Sequence, residues 1–215
     1  MYKRPGYFVI ILKIVTTKLI LIRHGETDWN HQKRYCSFTD VDLNKHGFVQ
    51  AEKLSKRMAG EKIRKVYSSN LKRAISFSEK AFNGIPKEIL PGLKEFCFGA
   101  FEGLTYQELM GKYPHIYSRW LENPQETRIP EGDDLTDFAK KVKSIIETIV
   151  SENPDSTIAI VTHGGTLRVV AADVLGLELK EIQQIKISSA SISIVEYEAG
   201  RINSHFFNDT SYLYE

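Results

Sequence analysis

Apolar residues along this chain group either into short unbroken runs or into stripes at helical spacing, and the two kinds alternate. Leu19-Ile20-Leu21-Ile22 is an unbroken apolar run that reads as a buried strand, and Lys65-Val66-Tyr67-Ser68 and Ile158-Ala159-Ile160-Val161-Thr162 read as two further strands with the same arrangement at their ends. After Asn44, a candidate cap, the residues Phe48, Ala51, Leu54 and Met58 trace one apolar helix face that ends at Gly60. Thr105 and Glu108 carry the signature of a capping box for a helix ending near Gly111, with one short helix expected between Leu104 and Asp134. From Asp134, the residues Leu135, Phe138, Val142, Ile145, Ile146, Ile149 and Val150 mark a long amphipathic helix that stops near Asn153-Pro154. Alternation in Ser191-Ile192-Ser193-Ile194-Val195-Glu196-Tyr197, a turn at Ala199-Gly200 and a second strand through Phe206 predict a hairpin. The fold class is therefore α/β, a three-layer α/β/α sandwich with a mostly parallel sheet and an antiparallel edge hairpin.

A chain of 215 residues with 42% hydrophobic content can bury one sizeable core, and no linker, repeat or low-complexity tract interrupts the pattern. The domain is placed at residues 18–215, behind an N-terminal extension, residues 1–17. Tyr7 to Val15 is apolar except for Lys13, but it is too short for a membrane span and is followed by Thr16-Thr17-Lys18 rather than by a small-residue cleavage site. The expectation is an added extended segment, or residues translated from an upstream start. A formal charge of only +2 argues against a nucleic-acid surface. Cys36 and Cys97 are too few for a disulfide framework and read as free thiols of a reducing compartment, the cytoplasm.

The chemistry lies where the buried runs end. Arg23 and His24 directly follow the first run, Ser69 and then Arg73 the second, and His163-Gly164-Gly165 the third. In open α/β sheets ligands bind beyond the carboxyl ends of the strands, so arginines and histidines at like ends of three strands mark a focused anion site. A guanidinium offers a planar fork suited to phosphate oxygens, and helices starting near Ser69 and Gly165 would aim backbone donors at the same point. The natural ligand is a phosphoryl group, carried by a small-molecule phosphate ester. The glycines after His163 permit close approach of backbone to a ligand. His31, His46, His115 and His205 lack the spacing of a metal site and read as surface or local structure, so no metal or other cofactor is expected.

These residues resemble the histidine phosphatase superfamily, which also contains the cofactor-dependent phosphoglycerate mutases. The segments that carry the resemblance are Leu21-Ile22-Arg23-His24-Gly25-Glu26-Thr27-Asp28-Trp29-Asn30, Ser68-Ser69-Asn70-Leu71-Lys72-Arg73-Ala74, Leu93-Lys94-Glu95, Gly99-Ala100-Phe101-Glu102-Gly103 and Val161-Thr162-His163-Gly164-Gly165. The resemblance implies that His24 is the nucleophile, forming a phosphohistidine, and that Glu95 is the proton donor; should Glu95 fail in that role, Glu26, Glu102 or another carboxylate is to be tested in its place. It further implies that Arg23, Arg73, His163 and Asn30 bind the phosphate, with a backbone donor from Gly164. Two arginines beside His24 favour its neutral form, whereas burial among Phe96, Phe98 and Phe101 and the nearby arginines pull Glu95 in opposite directions.

Within the superfamily, Ile129-Pro130-Glu131-Gly132-Asp133-Asp134 and Asn208-Asp209-Thr210-Ser211-Tyr212-Leu213 look most like the α-ribazole phosphatase and broad-specificity branch. Ser37 stands where relatives usually have glycine, and Asp133 departs from a common acid-serine pair. Cys36 and Ser37 are expected at the substrate entrance. The reading is a metal-independent phosphomonoesterase acting on small phosphorylated metabolites, with α-ribazole 5′-phosphate as one candidate. A phosphoglycerate mutase is the alternative, disfavoured because the region from Leu104 to Asp134 is too compact to shut water out. A non-catalytic phospho-ligand scaffold is the third reading.

Overall fold

A computed structural model describes residues 15–198 and 201–215. Most of the N-terminal extension and the turn at Ala199-Gly200 lie outside the described residues. Strands β1 (Thr16–Arg23), β2 (Ile63–Ser68), β3 (Lys87–Ile89), β4 (Thr157–Thr162), β5 (Ile192–Glu198) and β6 (Arg201–Asp209) form one sheet in the order β3-β2-β4-β1-β5-β6. The first four pair in parallel; β5 runs antiparallel to β1, and β6 antiparallel to β5 at the edge. Strand β1 starts at Thr16, and Thr16 and Thr17 pair with Glu198 and Tyr197.

The helices are α1 (Asp28–His31), α2 (Lys45–Met58), α3 (Lys72–Ala81), α4 (Tyr106–Lys112), α5 (Pro114–Glu122), α6 (Leu135–Glu152) and α7 (Gly164–Leu175). Side chains alternate across the sheet. On β1, Leu19 and Leu21 join the core built with α6 and α7, while Ile20 and Ile22 join the one built with α2 and α3. This is the three-layer sandwich with a mostly parallel sheet. The helix starts are local: Asn44 Oδ1 accepts from Gly47 N at 2.9 Å, Thr105 and Glu108 bond reciprocally, and Asp134 Oδ1 accepts from Thr136 N and Asp137 N.

Two expectations are corrected. Phe48 is 38% exposed, and the buried stripe of α2 runs through Gly47, Gln50, Ala51, Leu54 and Met58. One residue of phase, about 100° around the helix, decides this, because Gly47 must lie against the backbone of Glu26, where a Cβ would meet a carbonyl oxygen at 2.2 Å. The segment from Leu104 to Asp134 holds two helices rather than one. Pro114, which would break the interior of a helix, occupies the first turn of α5, where its fixed φ suits a helix start.

Candidate active site

Consecutive buried runs become neighbours here, with β4 between β2 and β1, so their carboxyl ends meet. From β1 the chain leads toward α2 on one face, and from β4 into α7 on the other. The crevice between the two departures is a topological switch point. It opens into a cleft of about 370 Å³ lined by Arg23, His24, Asn30, Cys36, Glu95 and Gly164, among others.

His24 and His163 lie with ring centroids 5.1 Å apart at an interplanar angle of 62°. His24 Nδ1 is 2.7 Å from the Gly25 carbonyl, which can only accept, so Nδ1 carries the hydrogen and Nε2 keeps its lone pair. Burial, followed by the charges of Arg73 and Arg23, holds the His24 imidazole well below its ordinary pKa, and burial with Arg73 does the same to His163. His163 Nε2 meets Ser69 Oγ at 2.8 Å, and that hydroxyl also accepts from Leu71 N.

Arg23 is anchored by Nη1 on the Ile187 carbonyl at 2.7 Å, and burial lowers its pKa to about 10, so it stays charged at neutral pH. Arg73, only 1% exposed, sits in the first turn of α3 and donates to the carbonyls of Ser37 and Thr39. Among the described residues Arg23 Nε and His163 Nδ1 are buried without a protein partner. Each such atom costs about 1–3 kcal/mol unless something binds it. Asn30 uses Oδ1 on Thr27 N in the capping box of α1, leaving its amide N–H groups for the cleft.

Glu95 is 7% exposed and accepts from Phe96 N at 2.9 Å and from Gly165 N at 3.0 Å. Gly165 therefore serves the protein rather than a ligand, because a Cβ there would meet Glu95 Oε1 at 2.2 Å. At Gly164 a Cβ would make only ordinary contacts. Of the residues singled out from sequence, Arg73, His163, Glu26 and Glu102 lie behind the cleft lining; Arg73 and His163 stand against His24, whereas Glu26 accepts from Asn44 Nδ2 and Glu102 is bound to the backbone of residues 37–39. The structure parts Cys36 from Ser37. Cys36 lines the cleft, with burial raising its thiol pKa to about 11, whereas Ser37 is 1% exposed and turns its hydroxyl into the wall onto Glu102.

Lys33, Arg34 and Arg168 also line the cleft, which the sequence reading missed, and of these Arg34 is paired with Glu108 at 2.9 Å. Arg168 fixes its Nε on the Ile185 carbonyl at 2.9 Å. A signal was present, since Arg168 is the one charge in the opening turns of an apolar helix. Among the described residues no three His, Cys, Asp or Glu side chains are grouped to hold a metal ion, and no helix is long and apolar enough to cross a membrane. His46 and His115 are exposed, and His205 pairs with Glu196 at the surface.

The two neutral imidazoles have a consequence for stability. Their folded pKa values lie below the ordinary 6.5, so below that pH the unfolded chain takes up protons that the folded chain does not. The stability they support is full above about pH 6.5 and falls on acidification by about 1.4 kcal/mol per pH unit for each ring. Urea unfolding at pH 7.5, 6.5 and 5.5 checks this, and stability rising across that window would refute it.

Residues 19–210 match the histidine phosphatase superfamily, branch 1. Phosphoserine phosphatase 1 of Hydrogenobacter thermophilus is 31% identical over 188 residues, spanning 86% of this chain and 88% of the relative. A phosphoserine phosphatase from Entamoeba histolytica, solved in complex with 3-phosphoglyceric acid, superposes with a TM-score of 0.84 at 28% identity, over 92% of this chain and 99% of that one. An α-ribazole phosphatase from Shigella flexneri superposes with a TM-score of 0.80 at 25% identity, over 89% and 96%.

Proposed function

The chain belongs to the histidine phosphatase superfamily, and from that premise we propose that it is a metal-independent phosphomonoesterase that works through a phosphohistidine on His24. The observation that carries this is the neutral, oriented imidazole of His24, tied by Nδ1–H to Gly25, beside the two partnerless buried atoms Arg23 Nε and His163 Nδ1. His24 Nε2 attacks phosphorus, the ester P–O bond breaks, and the leaving oxygen takes a proton from Glu95. Glu95 then takes a proton from water, the water oxygen attacks phosphorus, and the P–N bond breaks to release phosphate and neutral His24. Arg23, Arg73, His163 and Asn30 hold the phosphoryl oxygens while charge on them grows. His163 donates from Nδ1 when the Ser69 hydroxyl donates to its Nε2.

Hydrolysis rather than mutase chemistry follows from the surroundings of the cleft. The helices α4 and α5 turn Leu109, Tyr117 and Trp120 into the core, and the cleft reaches solvent beside exposed Lys33. Water can therefore reach the phosphoenzyme. The substrate class we assign is a small phosphate ester with a second anionic group, because Lys33 and Arg168 line the same cleft as Arg23 and His24 while Arg34 is held by Glu108. The relatives named for phosphoserine fit this class. The second reading, α-ribazole 5′-phosphate, is favoured by the likeness to the Shigella flexneri structure. Its two free thiols suit a cytoplasmic setting.

A phosphate-release panel run in chelator tests the reading. Phosphoserine and phosphoglycerates should exceed a neutral alkyl phosphate in kcat/KM, and Arg168→Gln should cut that advantage by about 10-fold or more, the worth of one charge-assisted hydrogen bond. Activity restored only by a divalent ion would overturn metal independence. An isomeric product formed with a bisphosphoglycerate primer and no phosphate release would make the chain a mutase. Highest efficiency on α-ribazole 5′-phosphate would overturn the anionic substrate class.

A further inference from the structure

The segment Gly99-Ala100-Phe101-Glu102-Gly103 has no part in the chemistry above, yet Glu102 reaches the site from behind. We propose that Glu102 is a positioning residue for Arg73, acting through the backbone of residues 37–39. Glu102 Oε2 accepts from Ser37 N at 2.8 Å and from the Ser37 hydroxyl, and Oε1 accepts from Thr39 N at 3.0 Å. The carbonyls of the same two residues hold Arg73, with Ser37 O accepting from Nη2 at 2.6 Å and Thr39 O from Nη1 at 3.0 Å. One loop thus carries a carboxylate on its N–H groups and a guanidinium on its carbonyls. The N–H groups and the carbonyls belong to adjacent peptide units, so the link between the two charges is geometric: the carboxylate fixes the residues whose carbonyls orient the guanidinium.

Both ends of this relay are fixed. Glu102 follows a tight turn at Gly99, whose φ is +47° and where a Cβ would meet the Pro130 carbonyl oxygen at 2.1 Å. Beyond the loop, Asp40 Oδ1 accepts from Lys72 N at 2.7 Å and so caps α3, the helix that carries Arg73, in place of Leu71, whose side chain makes no capping bond. With Arg73 buried and two of its nitrogens committed to the loop, the loop sets where its fork points. A clamp misplaced by about 1 Å can cost about 100-fold in rate.

The proposal rests on the reading of Arg73 as a phosphoryl ligand, and a double-mutant cycle separates the two. Vanadate inhibition and p-nitrophenyl phosphate kinetics are measured for Glu102→Gln, Arg73→Gln and the pair. Glu102→Gln keeps the shape but places an amide donor against backbone donors. It should weaken vanadate and lower kcat by about 10- to 100-fold, with a smaller change in KM, and should add little once Arg73 is already glutamine. Ser37→Ala removes the hydroxyl's contacts with Glu102 and with Phe98 N while leaving both backbone bonds to Glu102, and should show a smaller loss in the same direction, which carries the test if Glu102→Gln does not fold. Vanadate affinity within twofold of the parent in Glu102→Gln, or an equal loss in both backgrounds, overturns the relay. An Arg73→Gln protein that keeps full vanadate affinity overturns the phosphoryl-ligand reading instead.

Discussion

His24→Ala is expected to abolish turnover, by about 10⁴-fold or more, in a protein that stays folded. Without the imidazole no P–N bond can form, and the remaining clamp can only bind the ester; loss of a nucleophile in a concerted site removes nearly all of kcat. The fold should tolerate the change because His24 lies at a cleft wall and its resolved hydrogen bond reaches only the next residue's carbonyl. Far-UV circular dichroism and phosphate release together check both halves. Rapid quench of the parent with alkaline workup should trap an acid-labile phosphoenzyme that the variant lacks. Near-parental activity in the folded variant, or no such intermediate in the parent, would end the mechanism.

Glu95→Gln is the second large effect, and its size should depend on the leaving group. General acid catalysis is worth about 10²- to 10⁴-fold where the departing alkoxide is strongly basic, and little where it is a nitrophenolate. The environment makes glutamine an informative replacement. Glu95 accepts backbone N–H bonds on both oxygens, from Phe96 and Gly165, and an amide can keep one of them while its NH₂ faces the other donor. The loss in phosphoenzyme formation should therefore be large for alkyl phosphates and small for p-nitrophenyl phosphate. Equal losses across leaving groups of very different basicity would remove Glu95 from the acid role.

Asn44, Thr105 and Asp134 could be read as helix caps because the donors they satisfy lie within three residues, and sequence spacing is then spatial spacing. The strands β1 and β4 were legible for a related reason: burial on both faces leaves an apolar run, and the residues that end it sit at the sheet's carboxyl edge, whereas β2 shows only the short buried stretch Val66-Tyr67-Ser68. That was enough to bring Arg23, His24, Ser69 and His163 to one end of the fold. Phase and partnership were not legible. Phe48 is apolar and helically spaced, but the close approach of Gly47 to Glu26 turns it outward. Ser37 and Cys36 are neighbours in sequence, and only the position of Glu102 sends the serine into the wall while the thiol faces the cleft. Likewise Gly165 makes room for Glu95, seventy positions away, and Arg168 meets the cleft because Ile185 offers it a carbonyl. Local hydrogen bonds and periodic burial are written in the chain order itself. Contacts between loops depend on where distant segments come to rest, so the substrate side of this cleft was decided by the tertiary structure.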